Sequence, residues 1–370
     1  MSDFDSLGST ATLDSEPTRG SLHIFIPHIF GGAVLVINAC RVIYARYQAR
    51  QRANDWTTPQ CRLHFFLFVL LAVLSLGHTW YHMVSWFAQS YRHVMETRFP
   101  VEHQTLSLFS KMRLWLLNVR LFKEAYVAVT RSPAGFWWLE QTFLWSIGWS
   151  VFVGVMGRKY KIPYLWSYIL IDQFVAPSFV FSLFFALILV SSKLPSGQSK
   201  GKADHDQDQP LSANSHLIYE ILPVAGSLLC TVVVPFVGGT RYLVPLVLVP
   251  HVCVFIPVFA RPSPSPVAFK APAQIAYHRE QDMSRYVAFF QAWFAISVLL
   301  QAHSTYVVLE SLGGSANPAL FPDFVRNLIT TMYEHPAVTC CAWDAVHLII
   351  SVSAWALVNH GSLQRMLCRE

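Results

Sequence analysis

Long apolar segments recur along the chain, separated by shorter polar ones. A run of about 20 apolar residues can cross the hydrocarbon core of a bilayer as a helix. We therefore predict an all-α, polytopic integral membrane bundle of about eight transmembrane helices, with a range of about seven to nine. The predicted spans are Leu22–Tyr44, Leu63–Phe87, Trp137–Val155, Tyr164–Val190, His216–Val237, Tyr242–Phe259, Tyr286–Leu309 and Val338–Val358.

The polar segments divide the remainder of the chain. Residues 1–21 are acidic and rich in Ser and Thr, so we predict a disordered polar tail before a transmembrane domain over 22–360. Residues 191–215 predict a flexible loop, and 361–370 a short tail. Residues 103–129 mix leucines with Lys and Arg, which favours an amphipathic helix at the membrane interface; a ninth span is the alternative.

The charge content supports a membrane protein and not a soluble one. Only 13% of the 370 residues are charged, about half of the roughly 25% that is typical of soluble domains. The net charge of +6 does not indicate nucleic-acid binding, because the basic residues stand beside the apolar runs and no zinc-finger or basic-helix module is present in the sequence. Basic residues flank the first and third connections, which places both on the cytosolic side.

Four ionisable residues in or near the apolar runs are the candidate catalytic residues. Asp172 and Asp344 lie well inside their predicted spans, and neither span contains a Lys or Arg. A buried carboxyl group without a positive partner is most stable as the neutral acid, which can deliver a proton. His347 follows Asp344 by three residues and so shares its helical face. Glu140, surrounded by tryptophans, is the fourth; a structural hydrogen bond to another helix is the alternative for each.

Aromatic residues within the spans suggest a cavity that could stabilise a cation. The candidate substrate-binding residues are Trp343, Trp145, Trp149, Trp293, Trp80 and Tyr81. Ordinary protein packing explains such residues equally well. His78 and His82 have the spacing of a metal-ligand pair, but further histidine boxes are missing, so we expect helix packing there and predict no metal site and no cofactor. Pro177, five residues after Asp172, predicts a kink that opens space near the acid.

The stretch Trp137–Val190, "WWLEQTFLWSIGWSVFVGVMGRKYKIPYLWSYILIDQFVAPSFVFSLFFALILV", resembles the central region of a fungal membrane-bound terpene cyclase family. That family belongs to meroterpenoid biosynthesis of the ascochlorin, ascofuranone and macrophorin type. The resemblance implies protonation of an alkene or epoxide on a farnesyl-type chain, followed by cyclisation without loss of diphosphate. The chain lacks the DxDD motif of soluble proton-initiated cyclases and the DDxxD and NDxxD motifs of enzymes that ionise diphosphates.

The sequence thus leads to two hypotheses. The first is a terpene cyclase, an isomerase or lyase by reaction type, that acts on a prenylated aromatic or polyketide-terpenoid small molecule within the membrane of the endoplasmic reticulum. The second is a transporter or receptor for a hydrophobic small molecule, which would use the same polar positions for binding alone. Apart from the substrate and membrane lipid, no partner is predicted, and nucleic acid is not expected.

Overall fold

The computed structural model describes residues 22–53, 59–191, 213–259, 272–312 and 321–362. The predicted tail over 1–21, most of the predicted loop over 191–215 and most of the tail over 361–370 lie outside these residues. Within them the chain is helical between short turns and contains no strand. The helices are α1 (Leu22–Arg52), α2 (Pro59–Thr97), α3 (Pro100–Thr105), α4 (Leu108–Asn118), α5 (Leu121–Val129), α6 (Pro133–Lys159), α7 (Leu165–Phe174), α8 (Pro177–Ser191), α9 (Ala213–Val233), α10 (Leu243–Cys253), α11 (Ile256–Phe259), α12 (Pro272–Ser311), α13 (Phe321–Glu334) and α14 (Pro336–Val358).

Several of these helices are long and apolar enough to cross a membrane. In the described residues there are 5 of them, in α1, α2, α9, α12 and α14. They cover His23–Arg52, Pro59–Thr97, Tyr219–Val237, Ser284–Ser311 and Pro336–Val358. The all-α, polytopic membrane bundle predicted from the hydrophobic pattern is therefore confirmed.

Four segments differ from the sequence-based expectation. The predicted span Tyr242–Phe259 is two helices, α10 and α11. The predicted span Tyr164–Val190 is two helices, α7 and α8, because Pro177 interrupts it. The segment 103–129 is not one amphipathic helix but runs through the short helices α3 to α5, and Trp115 and Leu121 within it are buried in the core. The sequence analysis missed α13, although Phe324, Leu328 and Met332 recur at helical spacing and are all buried.

The short apolar helix α8 lies at the centre of the bundle. Every residue from Ser178 to Ser191 is buried, and α8 packs against α1, α2, α7 and α14. Phe185 on α8 stacks on Trp355 of α14 with ring centroids 4.7 Å apart. A helix that is apolar all round is suited to this position, because every face is covered by a neighbour.

Arginine side chains hold one end of the bundle together. Arg46 of α1 donates to the carbonyl oxygens of Tyr160 at 3.1 Å and Lys161 at 2.7 Å, in the connection after α6. Arg50 donates to the carbonyl of Leu189 near the end of α8, where helical carbonyls lack intrahelical partners. The first and third basic connections therefore lie at the same end of the bundle, as the distribution of positive charge predicts.

Candidate functional site at a helix break

The centre of the bundle contains a break between α7 and α8. Helix α7 ends at Phe174 and α8 begins at Pro177. Proline has no backbone N–H and its ring clashes with the preceding helical turn, so a continuous helix is disfavoured at this point. The carbonyl of Val175, inside the break, accepts a hydrogen bond from the indole Nε1 of Trp80 on α2 at 3.2 Å. A neighbouring helix thus satisfies a backbone group that the break leaves without a helical partner.

Asp344 reaches from α14 to the start of α8. Its Oδ1 accepts the backbone N–H of Ser178 at 3.0 Å and also the hydroxyl of Ser178. The side chain is only 5% exposed. A helix N-terminus offers unpaired N–H groups and partial positive charge, and both favour a carboxylate. Asp344 therefore caps α8 from another helix.

Asp172 lies on the other side of the same break, in the last turn of α7. It is 3% exposed, and its two oxygens accept hydrogen bonds from Ser146 Oγ of α6 at 3.1 Å and Gln173 Nε2 at 2.7 Å. The two carboxyl groups therefore flank the same break. Among the described residues, no Lys or Arg forms an ion pair with either acid. We call Asp172 and Asp344 the acid pair.

Aromatic rings stand beside the acid pair. Phe181 follows Ser178 by one turn of α8, and Trp149 of α6 stacks on it with ring centroids 3.8 Å apart. Trp145 meets the same ring edge-on at 6.5 Å, and it precedes Ser146, the partner of Asp172. Three predicted binding residues (Trp145, Trp149 and Trp80) therefore lie near the acids, where their π-faces could stabilise positive charge.

His347 contacts a different helix from Asp344. Its Nε2 lies 3.2 Å from Nδ1 of His78 on α2. His78 also lies against Trp343, with ring centroids 4.1 Å apart. Residues three apart on a helix differ by about 60° in direction. This difference is enough for Asp344 to contact α8 while His347 contacts α2. Across the described residues, no three His, Cys, Asp or Glu side chains converge to hold a metal ion.

The remaining predicted site residues lie elsewhere. Glu140 faces α12, where it lies beside Ser304, and Trp293 of α12 packs over Gly148. Tyr81 is 69% exposed on the outside of α2, so it does not line an interior site as predicted. The structure thus brings Asp172 and Asp344 together but separates Glu140 from them.

Sequence reasoning missed the serines that hold the acids. Ser146 and Ser178 are small polar residues within apolar runs, and nothing in their spacing relates them to an aspartate far along the chain. Only one signal was available: Ser178 directly follows Pro177, and proline is common at the first helical position, where the N–H groups are unpaired.

The bundle also has an open surface hollow of about 350 Å³ beside α13, lined by Leu312, Asp323, Arg326, Asn327, Thr330 and Glu334. None of the candidate site residues lines this hollow. Its rim carries the exposed ion pair between Asp323 and Arg326 at 3.2 Å, which is typical of a solvated surface. The acid pair at the helix break remains the better candidate for chemistry.

Comparison of the chain with protein-family models, with curated proteins and with solved structures finds no match. A function for this chain must therefore be inferred from the chemistry of its own site.

Proposed function

We propose that the protein is an integral membrane terpene cyclase that protonates the alkene or epoxide of a farnesyl-type chain. The observation that carries the proposal is the acid pair: two buried carboxyl groups on either side of a helix break, without a Lys or Arg partner among the described residues and beside aromatic rings. The resemblance of Trp137–Val190 to fungal meroterpenoid cyclases supports it. A location in the membrane of the endoplasmic reticulum belongs to the same proposal.

The hydrogen bonds suggest different roles for the two acids. Asp344 accepts two hydrogen bonds at the N-terminus of α8, which favours its carboxylate form. Asp172 accepts hydrogen bonds from side chains only and is buried without a positive partner among the described residues, so Asp172 would carry the proton. In this scheme Asp172 is the proton donor and Asp344 is the positioning residue that holds charge beside it.

The proposed reaction is an isomerisation in which protons balance. Asp172 gives its proton to the terminal alkene carbon or the epoxide oxygen, and an internal alkene attacks the resulting cation to form a ring. The faces of Trp145 and Phe181 would stabilise the positive charge during cyclisation. His347, hydrogen-bonded to His78, would remove a proton from the final cation.

Substitution of Asp172 tests the proposal. The protein, expressed in a fungal host, is supplied with a farnesylated phenol or its terminal epoxide, and products are separated by mass spectrometry. The parent should form a new isomer of identical mass. Asp172→Asn keeps the shape but not the acidic proton, so it should lose about nine-tenths of turnover or more. The exposed Asp323→Asn is the matched control, and near-normal turnover of Asp172→Asn would refute the assignment.

A transporter or receptor for a hydrophobic small molecule is the alternative. The broken helix α7–α8 favours it, because discontinuous helices form substrate sites in many carriers. Here, however, the N-terminus of α8 is already occupied by Asp344 of the same chain. Redistribution of unchanged substrate across vesicles containing the protein, without any new isomer, would favour the transporter.

A further inference from the structure

A second set of buried polar side chains lies between α6 and α12. The two helices run antiparallel: Trp137 Nε1 donates to Thr305 Oγ1 at 3.0 Å, and Gly148 lies against Trp293. Four residues after Trp137 is Gln141, and four residues before Thr305 is Gln301. This register places the two amides opposite each other. We call this contact the α6–α12 seam.

Several polar atoms of the seam are buried without a hydrogen-bond partner. They are Oε2 of Glu140, Nε2 of Gln141, both side-chain polar atoms of Gln301 and Oγ of Ser297. Glu140 is 3% exposed and Gln141 is 9% exposed. Buried polar groups in native proteins are almost always hydrogen-bonded, because leaving them unpaired is unfavourable. Five such atoms at one helix contact therefore make it a candidate binding site.

The chemistry of these atoms limits what the ligand can be. The amide NH₂ groups of Gln141 and Gln301 are donors, which a bare cation would not satisfy. The Glu140 carboxyl group is unfavourable to a fully anionic ligand. A neutral group that both donates and accepts hydrogen bonds fits the whole set. We infer that the α6–α12 seam binds the polar head of an amphipathic ligand, a head that carries both a hydroxyl and a carbonyl group.

The position of the seam suits such a ligand. Helix α12 packs chiefly against α6, and its other faces point outward: Phe294 is 68% and Leu299 69% exposed. An amphipathic molecule could thus enter sideways from the bilayer. Ser146, which donates to Asp172, lies six residues from Glu140 on the same helix. This spacing corresponds to about 9 Å along the axis of α6 and about 120° around that axis. This placement of the substrate rests on the proposed function. One substrate molecule would place its polar head in the seam and its prenyl chain toward the acid pair.

Binding of two matched probes tests the inference. Purified full-length protein in detergent micelles is mixed with a radiolabelled farnesylated hydroxybenzaldehyde or with farnesylbenzene, which lacks both polar groups. The parent should bind the first probe about tenfold more tightly or better, because a site built for hydrogen bonds rejects an analogue without them. Gln301→Met and Glu140→Gln should lose most of this preference. Gln291→Met, an exposed glutamine on the same helix, should keep it.

An unchanged preference in both seam variants would overturn the inference and would mean that the seam holds ordered water only. The Asp172→Asn variant separates this result from the proposed function. If Asp172→Asn is inactive while the seam variants bind normally, the cyclase stands and the head-group site fails. If Asp172→Asn is fully active while the seam variants lose the preference, the head-group site stands and the assigned proton donor fails.

Discussion

The helix break and the α6–α12 seam both bury a carboxyl group, but they treat it in opposite ways. At the break, Asp344 accepts hydrogen bonds from Ser178, and Asp172 accepts them from Ser146 and Gln173. In the seam, one oxygen of Glu140 and the amides beside it have no partner. A satisfied polar cluster holds helices in place, whereas an unsatisfied one is costly until something binds. The comparison therefore separates a site whose polar groups are paired from one whose polar groups are not.

Loss of the Asp344 carboxylate is expected to cause the largest change in stability. Asp344→Ala leaves the N–H and the hydroxyl of Ser178 buried without their acceptor, so it should lower the free energy of unfolding by about 3 kcal/mol. Thermal unfolding in detergent measures the change. Asp323→Ala, an exposed residue on α13, is the control and should change stability by less than about 0.5 kcal/mol. An Asp344→Ala variant as stable as the parent would mean that the cap contributes nothing.

The next largest effect should come from filling the close contact in the seam. A Cβ on Gly148 would lie 2.6 Å from Nε1 of Trp293, so Gly148→Ala must displace the indole or α12. We expect a loss of about 2 kcal/mol, as for other overpacked sites.

Gly77 on α2 is the matched control for that substitution, because a Cβ there meets nothing within 4 Å. Gly77→Ala should stabilise the protein by about 0.5–1 kcal/mol, since alanine restricts the unfolded chain and favours helix. If both variants behave alike, the contact between α6 and α12 is looser than described.

Removal of a seam amide should raise the free energy of unfolding, whereas removal of the Asp344 cap should lower it. Gln301→Leu deletes two buried polar atoms that have no partner, so without ligand it should raise the free energy of unfolding by about 1 kcal/mol. The same thermal unfolding series measures it, with Gln291→Leu as the exposed control. A clear destabilisation by Gln301→Leu would show that the amide already has a partner and would erase the contrast between the two regions.

A further effect concerns pH and a second helix cap. His335, just outside the span of α14, accepts the N–H of Ala337 on its Nδ1 at 3.2 Å. Burial, with a smaller contribution from Arg131, lowers the pKa of His335 to about 4 from 6.5. The unfolded chain therefore binds this proton first, so the stabilisation is complete above about pH 6.5 and is lost as the pH falls toward 4.

Unfolding temperatures measured between pH 7.5 and pH 4.5 test this dependence. His335→Asn keeps a good capping side chain but does not titrate, so it should flatten the part of the profile that is due to His335. Asp344→Asn serves as the comparison at the other cap. An identical pH profile for the parent and His335→Asn would exclude His335 as the titrating group.

Some features of the fold follow directly from the sequence. Apolar runs of membrane-spanning length form helices whichever helices they pack against, because a backbone in lipid must satisfy its own hydrogen bonds. The basic residues beside the first and third connections likewise predicted that both connections lie at one end of the bundle. Arg46 of α1 donates to the carbonyls of Tyr160 and Lys161 at that end. Pro177 predicted the break from local sequence alone, because its ring disfavours a continuous helix at that position.

The site itself was only partly predictable. The cost of burying an acid identified Asp172, Asp344 and Glu140 individually, but not which of them meet. Asp344 and His347 share a helical face in sequence, yet the packing turns one toward α8 and the other toward α2. Tyr81, predicted to line the site, lies on the outside because the hydrophobicity of a span does not distinguish lipid from protein neighbours.

The sequence by itself therefore determined the class of protein, most of its long apolar helices and the list of costly polar residues, because each depends on local composition and on the bilayer as solvent. Only the tertiary structure decided the pairing. Asp344 lies 166 positions from Ser178 along the chain, and Thr305 lies 168 positions from Trp137. Contacts of this kind depend on how helices are arranged against one another, and no period or spacing in a single helix encodes that arrangement.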